Sequence, residues 1–445
     1  MVPRLSNELI ARIIDYLRDD TLSLKNCSLT CHSFLPRSHY NLFHTVSLHL
    51  RNSRSFYKLL EKNVEIGVCV KELHVSVSTL EQAPTWVDKL LPSMSPKLPN
   101  VVELHLKGKG PYTAIPFRGL KSVQHIRILG CEIESLNEFC ALMGSFPYLE
   151  VIYTNEMFVY RSKEIIVKST APSSRFNRIE FNSCRADPDM IADWMIQESF
   201  HINLQALAVC PLQQVGLPPI AKLLKACGPS MKHVKIALVG LVAQGGFVGA
   251  FVPSFFPHRS ALNFNTEILE KDRTLVFSTE LRVLEFGSPA AYSALYGADD
   301  TSFDWFPTLL AQVCSPYIET IAFYLWENDL EGLSTPVWDD IARLLSSKQF
   351  MSLKNIVFHV WGNQDKASAI IQAVKTVFTS KTPVCLERSV APNSRCKVDT
   401  NVGGKHGIVG NPAAGGLLVS VGCSPLRQSS FEVEDMEKGS DETFG

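Results

Sequence analysis

At 445 residues the chain is longer than one ordinary domain, and a 46% hydrophobic content is enough to build a sizeable core. Its 43 Lys and Arg balance 44 Asp and Glu, so no basic excess is present to draw in nucleic acid or to hold an anionic membrane surface. Twelve cysteines scattered through apolar stretches, without repeated short spacings, read as reduced, buried thiols. The start Met1-Val-Pro-Arg4 has no apolar stretch of the signal-peptide kind, and a cytoplasmic or nuclear location is expected.

The first elements fall within residues 5–43. Leu5, Leu9, Ile13 and Leu17 recur every four residues, Ile10 and Ile14 widen that stripe, and Glu8, Arg12 and Asp15 take the other faces. This spacing predicts an amphipathic helix, with Ser6 or Asn7 as its N-cap and Glu8 at the positive end of the dipole. Arg18-Asp19-Asp20 ends it, and Asp20 or Thr21 caps a second helix with Leu22, Leu24, Cys27 and Leu29 as its apolar positions. Pro36 suits the first turn of a third helix running to Phe43. Three short helices bury little apolar surface by themselves. Their partner is either the rest of this chain, which they would cap, or another polypeptide.

The order Leu-x-x-Glu-Leu-Ile-x-x-Ile-Ile-x-x-Leu over residues 5–17, followed by Cys27-Ser-Leu-Thr-Cys31-His-Ser-Phe34, resembles an F-box in the form common among fungal F-box proteins. The resemblance covers roughly a tenth of the chain. It implies a docking plug over residues 1–44 that does no chemistry. The plug would bind the small adaptor protein that bridges to cullin in a cullin–RING (SCF-type) ubiquitin ligase. Carried over residue by residue, the adaptor-facing surface falls on Leu5, Ser6, Leu9, Ile13, Leu24, Leu29 and Cys31. Phe34 stands where many F-boxes have Trp, and Ser6 stands where the family has Pro, which pre-sets the chain entering the first helix.

From about residue 45 one theme repeats: a short strand, a loop and a helix. Strands are predicted at 46–50, 70–75, 101–106, 125–129, 149–153, 176–181, 204–209, 233–238, 281–286, 318–323 and 353–358. Many share the frame Leu-x-x-Leu-x-Leu, at steps of roughly 23 to 31 residues early on and roughly 36 or more later. Helices are predicted at Thr85–Met94, Ser135–Met143, Pro188–Gln197, Pro218–Cys227, Phe303–Cys314, Val337–Ser347 and Lys366–Phe378. The pattern resembles an irregular leucine-rich-repeat solenoid over residues 45–380, preferred over an ordinary α/β domain because of the short spacing and the recurring frame. Glu72, His74, Glu103, His105, Arg127, Glu180 and Lys235 share one strand parity and could line a binding surface, with the outward parity left open.

The run Ile236–Phe256 carries no charge and is long enough to span a bilayer. Gly240, Gly245, Gly246, Gly249 and Pro253 instead favour a strand followed by an irregular insertion over about 240–275, or a translated intron. Residues 381–445 lose the periodicity and read as a disordered tail, in which Gly416–Val421 is an isolated strand candidate.

Little in the chain points to chemistry. Cys27, Cys31 and His32 lack a second ligand pair at zinc spacing. Gly403-Gly404-Lys405-His406 lacks the earlier glycine and the following Ser or Thr of a phosphate loop. Neither a nucleophile elbow nor a His-Glu-x-x-His motif occurs. The reading is therefore an α/β protein with a three-helix F-box, a leucine-rich-repeat-like solenoid with a parallel sheet, and a disordered tail. It has no catalytic, cofactor or metal residues and is not an enzyme. The F-box docks to the adaptor and the repeats bind an unknown target protein, with no nucleic acid or membrane as partner. The alternative is a repeat scaffold whose degenerate F-box has left ubiquitination behind.

Overall fold

The computed structural model describes residues 5–78, 85–108, 112–159, 174–184, 188–213, 216–239, 270–288, 303–326, 336–361, 398–399 and 416–422. The predicted helix at Lys366–Phe378, nearly all of the insertion and most of the tail lie outside these residues. The chain forms two compact units, residues 1–236 with 272–278 and residues 237–271 with 279–445.

The first unit opens with three helices. α1 (Asn7–Tyr16) is capped by Ser6, whose hydroxyl accepts from the Leu9 N–H at 3.4 Å. α2 (Thr21–Thr30) is capped by Asp20, whose carboxylate takes the N–H groups of Leu22 and Ser23 at 3.1 and 3.0 Å. α3 (Leu35–Phe43) carries Pro36 in its first turn, where a missing N–H breaks no helical bond. After α3 come β1 (Thr45–Leu48), α4 (Leu50–Lys62), α5 (Val64–Cys69), β2 (Glu72–Ser76), α6 (Trp86–Met94), β3 (Glu103–Lys107), β4 (His125–Leu129), β5 (Glu132–Ile133) and α7 (Leu136–Gly144). The unit continues with β6 (Val151–Asn155), β7 (Phe158–Val159), β8 (Arg178–Asn182), α8 (Pro188–Gln197), β9 (Ala206–Gln213), α9 (Leu217–Cys227) and the start of β10 (His233–Val239).

Strands β1, β2, β3, β4, β6, β8 and β9 pair in that order, and each is parallel to the last. Consecutive parallel neighbours, several of them joined through α-helices, are the geometry expected of a stacked repeat. Register puts Leu73, Leu104, Ile126, Ile152, Ile179 and Leu207 in one line across the sheet, all buried. Each such side chain contributes about 1.5–3 kcal/mol by leaving water. The helices add Phe56 and Leu60 from α4, Trp86 and Leu91 from α6, Phe139 from α7, Trp194 from α8 and Leu223 from α9.

A backbone motif marks the start of each repeat. Two successive N–H groups donate to a single carbonyl of the repeat before: Lys71 and Glu72 to His44, Val102 and Glu103 to Lys71, Gln124 and His125 to Val102. The series continues with Glu150 and Val151 to Gln124, Asn177 and Arg178 to Glu150, Gln205 and Ala206 to Asn177, and Lys232 and His233 to Gln205. Side chains close several of these turns, such as Asn100 Nδ2 to the Val68 carbonyl at 2.8 Å and Ser122 Oγ to the Pro99 carbonyl at 2.5 Å.

This motif explains why most of the predicted strands start early. The first apolar residue of Leu-x-x-Leu-x-Leu, such as Leu149 or Leu204, is buried in the turn, and the strand begins two residues later at Val151 or Ala206. The first predicted strand also ran too far. β1 stops at Leu48 because the His49 ring accepts from the Arg51 N–H at 3.3 Å and starts α4, a helix absent from the sequence prediction.

In the second unit β11 (Val283–Phe286), β12 (Thr320–Trp326) and β13 (Asn355–Trp361) are parallel, with α10 (Trp305–Ala311) and α11 (Val337–Leu345) between them. The same doubled bond recurs, from Glu319 and Thr320 to Arg282 and from Lys354 and Asn355 to Glu319. The core here is aromatic. Phe286, Phe323 and Phe358 lie in register and stack at 5.4 and 5.3 Å, with Phe306 and Trp338 set against them. β15 (Gly416–Gly422) does not stand alone as the sequence suggested: it pairs antiparallel with β13 over its whole length and carries β14 (Val398–Asp399) on its far side.

Candidate functional site

Two surfaces of the first unit stand out. The first lies on α1 and α2. Burial of Ile14 and Leu24, each 1% exposed, fastens these helices to the molecule. A polar clamp completes the attachment. The Asp15 carboxylate takes the Arg37 guanidinium in a two-point ion pair and the Asn41 amide at 3.0 Å. The Arg37 bond holds the Asp15 carboxyl below its usual range, against the opposing effect of burial, and Asn41 adds to the lowering.

With Ile14 turned inward, the other face of α1 points to solvent. Leu5, Leu9 and Ile13 are 58%, 49% and 52% exposed, at the four-residue spacing that stacks side chains along one face. Exposed apolar side chains grouped in this way mark an interaction surface. Ser6, Leu29 and Cys31 are also exposed. Cys31 Sγ lies 3.0 Å from Ser33 Oγ, and this hydrogen bond draws the thiol below its usual range. Leu24 is the exception among the residues assigned to this surface. It is packed inside the molecule and offers no free face. Tyr16 and Leu22 were missed, yet both are strongly exposed. The signal for Tyr16 was its position three residues after Ile13, on the same helical face.

The second surface is the open face of the sheet, and the structure settles its parity. Glu72, His74, Glu103, His105, Arg127, Glu180 and Lys235 are all part-exposed, while their strand neighbours are buried. Register aligns Ser47, His74, His105, Arg127, Tyr153 and Glu180 in one row across β1, β2, β3, β4, β6 and β8. The His74 and His105 rings stack at 4.0 Å. Glu103 Oε1 accepts from Arg127 Nε at 2.7 Å and lies 2.8 Å from His105 Nε2. Arg127 lies over the Tyr153 ring at 5.8 Å, and Arg178 Nε donates to Glu180 at 2.6 Å.

Electrostatics follow from these contacts. Burial raises the Glu103 carboxyl, but the His105 bond and Arg127 outweigh it and leave the group below its usual range. Burial and neighbouring His105 lower His74, and burial with nearby Glu180 raises Tyr153. The row is therefore a set of mutually held polar side chains on a stiff sheet, suited to contact another surface without rearranging.

The expectation of buried thiols holds for Cys131, Cys140, Cys210 and Cys227, while Cys27, Cys69 and Cys184 are part-exposed and Cys314, like Cys31, is exposed; burial pushes Cys131 and Cys227 up to about 12, far from the reactive thiolate form. Among the described residues no cluster of three His, Cys, Asp or Glu could hold a metal ion, and no helix is long and apolar enough to cross a membrane.

No family model matches the chain, and no curated protein matches it. Among solved structures the chain is similar to a crystal structure of an internalin from Listeria monocytogenes. The identity is 9%, the match covers 81% of this chain and 92% of that one, and the TM-score is 0.32. A likeness at this level carries no argument. The repeat architecture rests on the strand order and the recurring backbone bonds, and it makes the molecule a mixed α/β repeat protein with a long parallel sheet.

Proposed function

We propose that the chain is the substrate-recognition subunit of a cullin–RING ubiquitin ligase. The helices within residues 5–43 would dock to the bridging adaptor, and the open face of the repeats would hold a target protein. The observation that carries this reading is the stripe Leu5, Leu9 and Ile13. The molecule's own fold leaves these side chains half-exposed while it seals Ile14 on the opposite face. Leu9 and Ile13 on a preformed helix, with Leu5 just before its cap, suit insertion into a groove of a partner. The work of the subunit is then proximity. Holding an acceptor lysine beside the conjugating enzyme raises its effective concentration, and this chain makes and breaks no bond.

The test is capture of the adaptor by the purified full chain. The wild-type chain should retain it, and Leu9→Asp with Ile13→Asp should lose it. Retention by the double variant, or no capture by the wild type, overturns the reading.

One observation favours a second reading. Leu24 is buried and Ser6 replaces the proline of the family pattern, so the docking surface is smaller than the resemblance implies. On this reading the chain is a non-catalytic repeat scaffold that binds its partner without the ligase. A wild-type chain that ignores the adaptor yet binds a protein through the sheet face would support it.

A further inference from the structure

Helix α3 passes into β1 through a single residue, His44, and this residue is tied on three sides. Its backbone carbonyl accepts the N–H groups of Lys71 and Glu72, both at 2.9 Å, which fixes it to the entry of β2. Its ring is only 16% exposed and meets the end of α1, where Arg18 Nη2 lies 3.1 Å from His44 Nδ1. On its other side Thr45 Oγ1, 3.4 Å from the same nitrogen, donates to Glu72 Oε2 at 3.1 Å. Tyr40 of α3 sits edge-on to the ring at 5.6 Å.

A guanidinium has only donors, so Nδ1 must bring a lone pair to this contact. The neutral ring is thus the form that holds Arg18. A protonated ring would set one cation against Arg18 and Lys71, with Glu72 Oε1 at 4.0 Å as its one opposing charge. The groups facing His44 are therefore Arg18 from the turn that follows α1, Tyr40 from α3, and Lys71 and Glu72 at β2. Burial first, and Arg18 second, lower the proton affinity of the ring.

We propose that His44 is the positioning residue of a proton-sensitive joint, which locks α1 to the first repeat when the ring is neutral and releases Arg18 when it is protonated. As a device for presenting a target at fixed geometry, the joint rests on the docking reading above. As a property of the fold it does not. The sign follows from the direction of the shift. A histidine whose folded-state proton affinity is lowered adds stability that is complete above its unfolded value, roughly 6.5, and lost as the pH falls through the folded value.

The test uses the full chain alone, so failure to capture the adaptor would overturn the proposed function and leave this inference standing. Amide hydrogen exchange of residues 7–18, corrected for intrinsic rates, is compared at about pH 7.5 and about pH 5, on either side of the ordinary histidine value. In the wild type, part of the protection of α1 should be lost at the lower pH and recovered on return to the higher one. His44→Gln keeps a neutral acceptor at every pH and should abolish the fall. Arg18→Gln, on an exposed residue, should show weaker protection at both values and no fall. Peptides from β3 and β4 report that the sheet is intact and should not change. A flat wild-type profile, or a fall that persists in either variant, overturns the proposal. Persistence would instead move the titration to His74, which also faces Glu72 and whose Nε2 is buried without a hydrogen-bond partner.

Discussion

Leu9 and Leu104 are the same residue type in the same chain, and they meet opposite fates. Leu104 sits in β3 between Leu73 and Ile126 and is wholly buried, whereas Leu9 lies on α1 with half its surface in water. Both obey a regular apolar period, one of two residues and one of four. The difference comes from neighbours. A strand inside a stacked sheet has its own repeats on either side, while a helix at the end of the array has a neighbour on one face only. Periodicity therefore reports that a face will be covered, and position in the array reports by what.

The comparison can be broken most forcefully from the buried side. Leu104→Ala should cost about 2–5 kcal/mol in urea unfolding, because the flanking Leu73 and Ile126 can close the cavity only in part. Leu9→Ala should cost far less, and equal losses would end the contrast. Next in size is Gly108→Ala, at the end of β3. Its φ of +99° disfavours any side chain, and an added Cβ would stand 2.0 Å from the Val77 carbonyl oxygen. A loss of more than about 1 kcal/mol is expected, read in the same unfolding experiment.

Glu103→Gln comes third. It removes the charge from the bonds to Arg127 and His105 and should cost about 1–2 kcal/mol. The effect has a pH signature. Because the folded-state carboxyl lies below its ordinary value, its contribution is complete above about 4.3 and disappears as the pH falls through the folded value. The gap between wild type and variant should narrow accordingly, and a gap that stays constant in acid would show that the charge is irrelevant. The smallest effect on folding belongs to Leu9→Asp with Ile13→Asp. Stability should move by no more than about 0.5 kcal/mol while adaptor capture is lost. If unfolding shows these residues to be as costly as Leu104, the stripe belongs to the core of this chain.

Much of the architecture was legible because the repeat writes itself into the sequence. His125–Leu129 and Pro188–Gln197 match β4 and α8 residue for residue. The systematic error lay at strand entries, where the leading leucine anchors a turn whose N–H groups serve the previous repeat. Apolar spacing cannot separate a turn anchor from a strand residue, since both are buried. α4 was missed because Leu50 looked like the end of a strand, and only the capping contacts of His49 and Asn52 decide otherwise.

The exposed side chains on α1 were also readable, since their period matched a helix face. Leu24 was misplaced because the apolar positions of α2 do not divide clearly between an inner and an outer face, so the choice fell to tertiary packing. The contacts around His44 join residues 18, 44, 45 and 72, and no local pattern announces them.

The doubled backbone bonds have a final consequence. Each repeat borrows the first hydrogen bonds of its strand from the repeat before it, so order is passed along the chain as in a zipper. A lesion at one tooth, such as a proline in place of Gln124 or Glu150, would divide the first unit into two blocks that melt separately. Unfolding of the first unit should then show one more step than in the unsubstituted chain.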